Sequence, residues 1–290
     1  MSDRQTDETL VEVENLLTQF GDNVIHEDLD FTLKRGEIVG LVGGSGTGKS
    51  VLLNTILGLK EPEGGTVHFF GQDRETMTEA DRRATDRRFG VLFQGGALFS
   101  SLTVRENVMV PMREHTELSV PLMRELADMK INLVGLEPEA ATLMPSDLSG
   151  GMKKRAGLAR AIALDPEVLF LDEPTAGLDP IGASAFDQLI LDLRDAMDLT
   201  VLMVTHDLDS LYAICDEVAV LLNKTIGAYG PLSEVSQVDD PWVREYFGGP
   251  RARAALTAKE RNRSGAGGAG TVVAERPGLA QSPLNQGAEA

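Results

Sequence analysis

Residues 43–50, Gly-Gly-Ser-Gly-Thr-Gly-Lys-Ser, give half of their positions to glycine and end on a lysine and a hydroxyl. They follow an apolar run, "EIVGLVG" (37–43), and precede leucines at helical spacing over 50–59. Backbone so free of side chains can turn successive N–H groups inward and let them approach phosphate oxygens. The helix behind it adds its positive N-terminal end. Gly43, Gly44, Ser45, Gly46, Thr47 and Gly48 are therefore the expected cradle. Lys49 should pair with the β- and γ-phosphates and Ser50 should ligate Mg²⁺. A second stretch, "VLFLDE" (168–173), ends an apolar strand on two acids. Asp172 is placed to hold the metal, directly or through water, and Glu173 to polarise an attacking water. Behind a phosphate loop this pair completes what triphosphate hydrolysis needs, a metal and a base. His206, in "VLMVTHD", also follows a strand. Lys49, Asp172 and His206 can thus converge at one sheet edge, where ligands bind in open α/β sheets.

The elements that must hold these residues follow from periodicity. "LVEVENLL" and "NVIHEDLDFTL" alternate as strands do, and 37–43 reads as a buried strand. From about Thr103 to Arg160 the pattern is helical, clearest in "VPLMRELADMKINLVGL". "VLFLD", "TVLMVTH" and "EVAVLL" are further strands, with the helical "GASAFDQLILDLRDAM" between the first two. Alternating strands and helices imply an α/β fold with a mainly parallel sheet. The helical stretch at about 100–160 breaks the alternation and reads as an inserted subdomain of a body spanning 9–248. Residues 249–290, small and polar with "SGAGGAG" at their centre, read as a disordered tail.

The chain has 290 residues and a formal net charge of −18. Six basic and three acidic residues leave the tail at +3 and the rest at −21. So acidic a body argues against nucleic acid or bare anionic lipid as the main partner. One cysteine, Cys215, permits no internal disulfide, and the polar N-terminus does not read as a secretory signal. No apolar run reaches the roughly 18 residues of a membrane helix. These features read as cytoplasmic.

"LSGGM" (148–152) resembles the signature of ATP-binding cassette (ABC) ATPases, with Met152 where the usual form has Gln. The resemblance covers about 9–248. It implies a P-loop NTPase nucleotide-binding domain with a mainly parallel sheet core, an antiparallel β subdomain and an inserted helical subdomain. It also assigns further roles. Phe20 matches an aromatic that stacks on adenine, and Gln94 a loop glutamine that senses Mg²⁺ and contacts the membrane partner. Asp179, in "AGLD", belongs to the loop after the acidic pair, and His206 is the switch histidine at the γ-phosphate. Ser149, Gly150 and Gly151 of one subunit would close over ATP held by the other. One loop and one signature per chain then require a head-to-tail homodimer.

Residues 93–118, "FQGGALFSSLTVRENVMVPMREHTEL", with Met152 and "DDPWVREYFGG" (239–249), are similar to the Mla/Mce-type phospholipid-transport branch. That similarity implies an energy-coupling subunit at the cytoplasmic face of the inner membrane. Its partners would be an integral membrane permease (MlaE-like), an MCE-domain protein (MlaD-like) and a STAS-domain protein (MlaB-like). Residues 95–107 would dock the permease's cytoplasmic helix. Trp242, Tyr246 and Phe247 would anchor the opposite ATPase. An ABC ATPase for an organic solvent, a steroid or an amino acid remains the alternative. A soluble cassette acting on DNA or ribosomes would carry two cassettes or a long coiled coil, and a P-loop kinase would lack the signature.

Overall fold

A computed structural model of the chain describes residues 8–249, so the expected tail lies outside the described residues save for Gly249. In chain order the elements are β1 (Thr9–Phe20), β2 (Asn23–Lys34), β3 (Ile38–Gly43), α1 (Lys49–Ile56), β4 (Gly64–Phe69), β5 (Gln72–Asp73), α2 (Glu79–Asp86) and β6 (Phe89–Leu92). There follow α3 (Val104–His115), α4 (Val120–Leu133), α5 (Gly150–Ala161), β7 (Val168–Asp172), α6 (Pro180–Met197) and β8 (Thr200–Val204). Last come α7 (Leu208–Ile214), β9 (Glu217–Leu222), β10 (Thr225–Gly230), α8 (Leu232–Val235) and α9 (Pro241–Gly248). One sheet is antiparallel, in the order β2-β1-β4-β5; the other runs β10-β9-β3-β8-β7-β6. In the second sheet β9, β3, β8, β7 and β6 are parallel and β10 pairs antiparallel at the edge.

The parallel strands are apolar on both faces because each face has its own core. Ile38, Leu169, Val201 and Val218 point into a cluster shared with α3–α7 and α9. Their neighbours Val39, Phe170, Leu202 and Ala219 point into a second cluster with α1 and the antiparallel sheet. The period of two in a strand assigns successive residues to opposite cores. Each fully buried Val, Leu or Phe contributes about 1.5–3 kcal/mol. A polar clasp joins the layers at the start of the strands. Arg35 donates to Glu8 at 2.7 Å and to Glu167 at 2.8 Å, and Arg88 donates to Glu167 at 2.6 Å.

α3, α4 and α5 pack on one another between β6 and β7 in the chain. The Thr103 capping box starts α3, its hydroxyl accepting from Glu106 N and its N–H donating to the Glu106 carboxylate. Buried Asn107 then fastens the preceding loop: its Nδ2 donates to the carbonyls of Phe99, Leu102 and Thr103, and its Oδ1 accepts from Phe99 N at 2.8 Å. α5 approaches β6 closely enough that a Cβ on Gly90 would fall 2.3 Å from the Ala161 carbonyl oxygen. Backbone cannot yield as a flexible side chain can, so Gly90→Ala should cost about 1–3 kcal/mol. Urea midpoints of the two proteins measure it; an unchanged midpoint would mean that the packing of α5 on β6 is loose.

Candidate active site

β3, β8 and β7 are parallel neighbours, with Leu41 opposite Val204 and Val204 opposite Asp172, so they end at the same edge of the sheet. The loop after β3 turns through left-handed backbone at Gly46 (φ 78°) and Gly48 (φ 106°) before α1 begins. Gly48 cannot be exchanged for space reasons as well: a Cβ there would lie 2.5 Å from Ile25 Cγ2 and 2.6 Å from His26 Nε2. Thr47 Oγ1 donates to the Gly44 carbonyl at 3.0 Å, and Lys49 Nζ donates to the carbonyls of Gly43 and Gly44, each at 2.8 Å. Ser45, Gly46 and Ser50 are exposed.

The two acids after β7 are held differently. Asp172 is half-buried, and burial raises its pKa, as does the neighbouring Glu173 charge; Lys154 and Lys49 pull it back down. Glu173 takes a left-handed conformation (φ 48°). Its N–H donates to Val204 O at 2.9 Å and its carbonyl accepts from Lys154 Nζ at 2.6 Å. Its carboxylate accepts from His206 Nδ1 at 2.7–2.8 Å. The Glu173 side chain is 16% exposed and that of His206 71%, so the carboxylate is sheltered behind a histidine that faces outward. Burial lowers the pKa of Lys49 and the charges of Glu173 and Asp172 raise it. The site thus brings together four of the expected groups: Lys49, Asp172, Glu173 and His206.

The other expected residues are placed as follows. Phe20, at the end of β1, is 58% exposed, with the Lys60 ammonium 5.0 Å from its ring centroid. Gln94 is exposed on the turn after β6. Asp179 caps α6, its Oδ1 accepting from Gly182 N at 2.8 Å. Ser149 caps α5, accepting from Met152 N at 3.3 Å, with Gly150 exposed in the first turn and the Gly151 position beside Leu178. Among the described residues no hydrogen bond or ion pair joins 149–151 to the loop 43–50.

The aromatic triad at the C-terminal end departs from expectation. Phe247 and Val243 are buried in the chain's own core, and Trp242 stacks on Tyr246 with ring centroids 4.5 Å apart. α9 folds back over the site: Trp242 Nε1 lies 3.5 Å from where a Cβ on Gly44 would stand. Phe247 is therefore not an anchor for a second subunit; burying it here covers the apolar face of α9 within one chain. Glu173, Gly177, His206, Asp209, Trp242 and Tyr246 line a cavity of about 890 Å³. A second groove, about 420 Å³, runs between Phe89, Phe93, Ala97 and Phe99 on one side and Val110, Pro111 and His115 on the other. Phe99 is 52% exposed at its rim while Leu98 packs inward. Gly95, Gly96 and Ala97 are all left-handed there, and Arg160 holds them by donating to the carbonyls of Ala97 (2.8 Å) and Gly96 (3.1 Å).

The donor set fits a hard cation. Ser50 offers a hydroxyl, Gln94 an amide oxygen and Asp172 a carboxylate, all oxygen, as Mg²⁺ requires. Among the described residues no cluster of three or more His, Cys, Asp or Glu forms a ready-made metal cage. Mg²⁺ habitually completes its shell with substrate phosphates and water, which such a sparse site leaves room for.

Comparison with known proteins bears on this geometry. The family described as "ABC transporter" matches residues 26–176. The "Intermembrane phospholipid transport system ATP-binding protein MlaF" of Haemophilus influenzae is 41% identical over 242 residues, covering 83% of this chain and 91% of its own. The "Probable ribonucleotide transport ATP-binding protein mkl" of Mycobacterium tuberculosis is 39% identical over 241 residues, covering 83% of this chain and 67% of its own. Among solved structures, the dimeric post-hydrolysis state of the ATP-binding cassette MJ0796 bound to ADP and Pi superposes with a TM-score of 0.70 at 28% identity, covering 77% of this chain and 99% of that one. The cbiO1 protein of Clostridium perfringens gives a TM-score of 0.71 at 25% identity, with 90% and 99% covered.

Two residues that sequence patterns did not single out complete the site, Lys154 and His26. His26 is fully buried beneath the loop: Nδ1 bonds Thr18 Oγ1 at 2.7 Å, and Nε2 makes no well-formed hydrogen bond and faces Gly48. Burial lowers its pKa to about 4, with Lys60 acting the same way and the Gly48 backbone opposing. The sign follows from linkage. Between pH 6.5 and pH 4 the unfolded chain takes up a proton that the folded one refuses, so acid destabilises the fold. At about 1.4 kcal/mol per pH unit, roughly 2–3 kcal/mol is lost by pH 4.5. Urea titrations at pH 7 and pH 4.5 should show that loss in wild type and a correspondingly smaller one in His26→Gln. Equal losses would mean that His26 titrates normally.

Proposed function

Because this chain belongs to the ABC transporter family and is an ATPase, we propose that it is the energy-coupling subunit of a transporter moving phospholipids between the inner and outer membranes. The observation that carries the chemistry is the convergence of Lys49, Asp172, Glu173 and His206 at one edge of the parallel sheet. On ATP binding, Lys49 exchanges its bonds to Gly43 and Gly44 for the β- and γ-phosphates. The loop N–H groups and the α1 N-terminus take the remaining phosphate charge. Phe20, with Lys60 on its ring, offers a stacking face to adenine. Ser50, Asp172 and Gln94 would hold Mg²⁺, which supplies charge neutralisation at the phosphates. Glu173, oriented by His206, accepts a proton from the water that attacks the γ-phosphorus while the bond to the β-phosphate oxygen breaks. ADP and inorganic phosphate are the products.

Ser149, Gly150 and Gly151 stand at the exposed start of α5 and are free to serve a second chain's nucleotide. Two chains arranged head to tail then make two complete sites, with Asp179 in the loop between them. The groove rimmed by Phe99 receives the permease's cytoplasmic helix: it is apolar, held rigid by Asn107 and Arg160, and adjacent to Gln94. No helix among the described residues is long and apolar enough to cross a membrane, which fits a subunit that sits peripherally on the cytoplasmic face of the inner membrane. α4 exposes Leu122, Met129 and Leu133 at helical spacing, and such a stripe suits a further partner besides the permease. An MCE-domain protein and a STAS-domain protein complete the assembly, and nucleic acid has no part in it.

The substrate reading rests on similarity to MlaF across nine-tenths of that protein's length. The mkl relative is named for ribonucleotide transport, which keeps a second substrate class in play. Mass spectrometry of the purified complex with its permease decides between them. Co-purifying phospholipid, and ATP hydrolysis stimulated by phospholipid vesicles but not by ribonucleotides, is expected; the reverse would overturn the phospholipid reading.

Two substitutions test the chemistry. Lys49→Ala should abolish ATP binding, read by equilibrium titration, and normal turnover would refute the phosphate role. Glu173→Gln should bind ATP but hydrolyse it about 10²–10⁴-fold more slowly, accumulating a dimer visible by size-exclusion chromatography. Monomers that persist with ATP would count against the shared site.

A further inference from the structure

The basic run Lys153-Lys154-Arg155 would be expected on a solvated helix face, yet Lys154 is 4% exposed. It lies on α5, one helical turn beyond the signature residues. Its Nζ donates to the Glu173 carbonyl at 2.6 Å. The Glu173 peptide is therefore held from both sides, its N–H by Val204 of β8 and its C=O by α5. That peptide is left-handed, a conformation that costs about 1 kcal/mol or more and persists only where surroundings impose it. Remove Lys154 and the constraint on one side is gone.

We propose that Lys154 is a positioning residue that couples the two ATP sites of the dimer. The inference rests on the shared-site reading above. In that arrangement Ser149, Gly150 and Gly151 touch the partner's nucleotide, while Glu173 acts on the chain's own. Both are fixed to α5, the first by sequence and the second through Lys154. With a rise of about 1.5 Å per residue, the start of α5 and Lys154 are only about 6–8 Å apart along the helix axis. A shift of α5 as the signature docks is thus delivered to the backbone of the catalytic base with little slack. Gly157 makes the lever rigid: its missing Cβ would meet Gly96 Cα at 3.0 Å, so α5 cannot move without the loop 93–97. By two-fold symmetry the coupling is reciprocal, and filling one site sets the base in the other.

The test is steady-state hydrolysis by the full-length chain over a range of MgATP concentrations. Wild type should show a Hill coefficient clearly above 1. Lys154→Met keeps the stem and loses the donor; its kcat should fall about tenfold and its Hill coefficient should drop to 1. Its nucleotide affinity, measured separately in a Glu173→Gln background, should stay within about twofold. Lys154→Gln keeps an N–H donor and should restore cooperativity. Lys154→Ala carries the same expectation as the Met variant if that one does not fold. Unchanged cooperativity in Lys154→Met or Lys154→Ala, or a Gln variant as uncoupled as they are, overturns the proposal while leaving the dimer intact. A wild-type chain that turns over as a monomer with a Hill coefficient of 1 overturns the shared-site reading itself.

Discussion

Two lysines, Lys49 and Lys154, and two acids, Asp172 and Glu173, share the half-buried edge where the parallel strands end. Burial alone would push Lys49 and Lys154 toward neutrality and Asp172 the same way. Opposite charges nearby oppose each of these shifts in part. A lone charge in such a place would be expensive, whereas a balanced group with its hydrogen bonds satisfied is tolerable.

The sheet makes the group possible. β3, β8 and β7 could each carry one polar residue past their ends because their bodies are buried on both faces and their register is fixed. Slipping β7 by one residue would move Phe170 from one core into the other and carry Asp172 away from Lys49. The catalytic geometry is thus specified by apolar packing several residues distant from it.

The loop 43–50 and the acids 172–173 were legible because their chemistry is local: glycines, a lysine and a hydroxyl between a strand and a helix admit few uses. The long strands β1 and β2 and the buried runs of β3, β7, β8 and β9 were legible through their apolar patterns. β6, four residues long, and β10, with glycines at 227 and 230, gave too little pattern to read. β4 and β5 were likewise silent, since a hairpin opening on Gly64-Gly65 looks like a turn. Other features depend on what folds over what. "DDPWVREYFGG" shows apolar residues at helical spacing, but spacing does not say what will cover them; the chain's own core covers Val243 and Phe247, while Trp242 and Tyr246 line the cavity. Lys154 within a basic run, and His26 within an alternating strand, carry no local sign of their burial. Only tertiary packing places one against Glu173 and the other under Gly48.

That packing gives α5 an unusual set of neighbours. Its first turn presents Ser149, Gly150 and Gly151, and its second reaches the catalytic peptide through Lys154. Its third lies against the loop after Gln94 through Gly157, and its last turn holds the same loop through Arg160. The loop in turn forms one wall of the groove beside Phe99, with Asn107 fastening it to α3. A helix of 12 residues is stiff on this scale. The groove wall, the first turn of α5 and Glu173 are thus all in contact with this one helix. The left-handed backbone at Gly95, Gly96 and Ala97 is held by Arg160, and the loop beyond it by Asn107. The residues that tie α5 to its neighbours are thus a buried lysine, a glycine and an arginine.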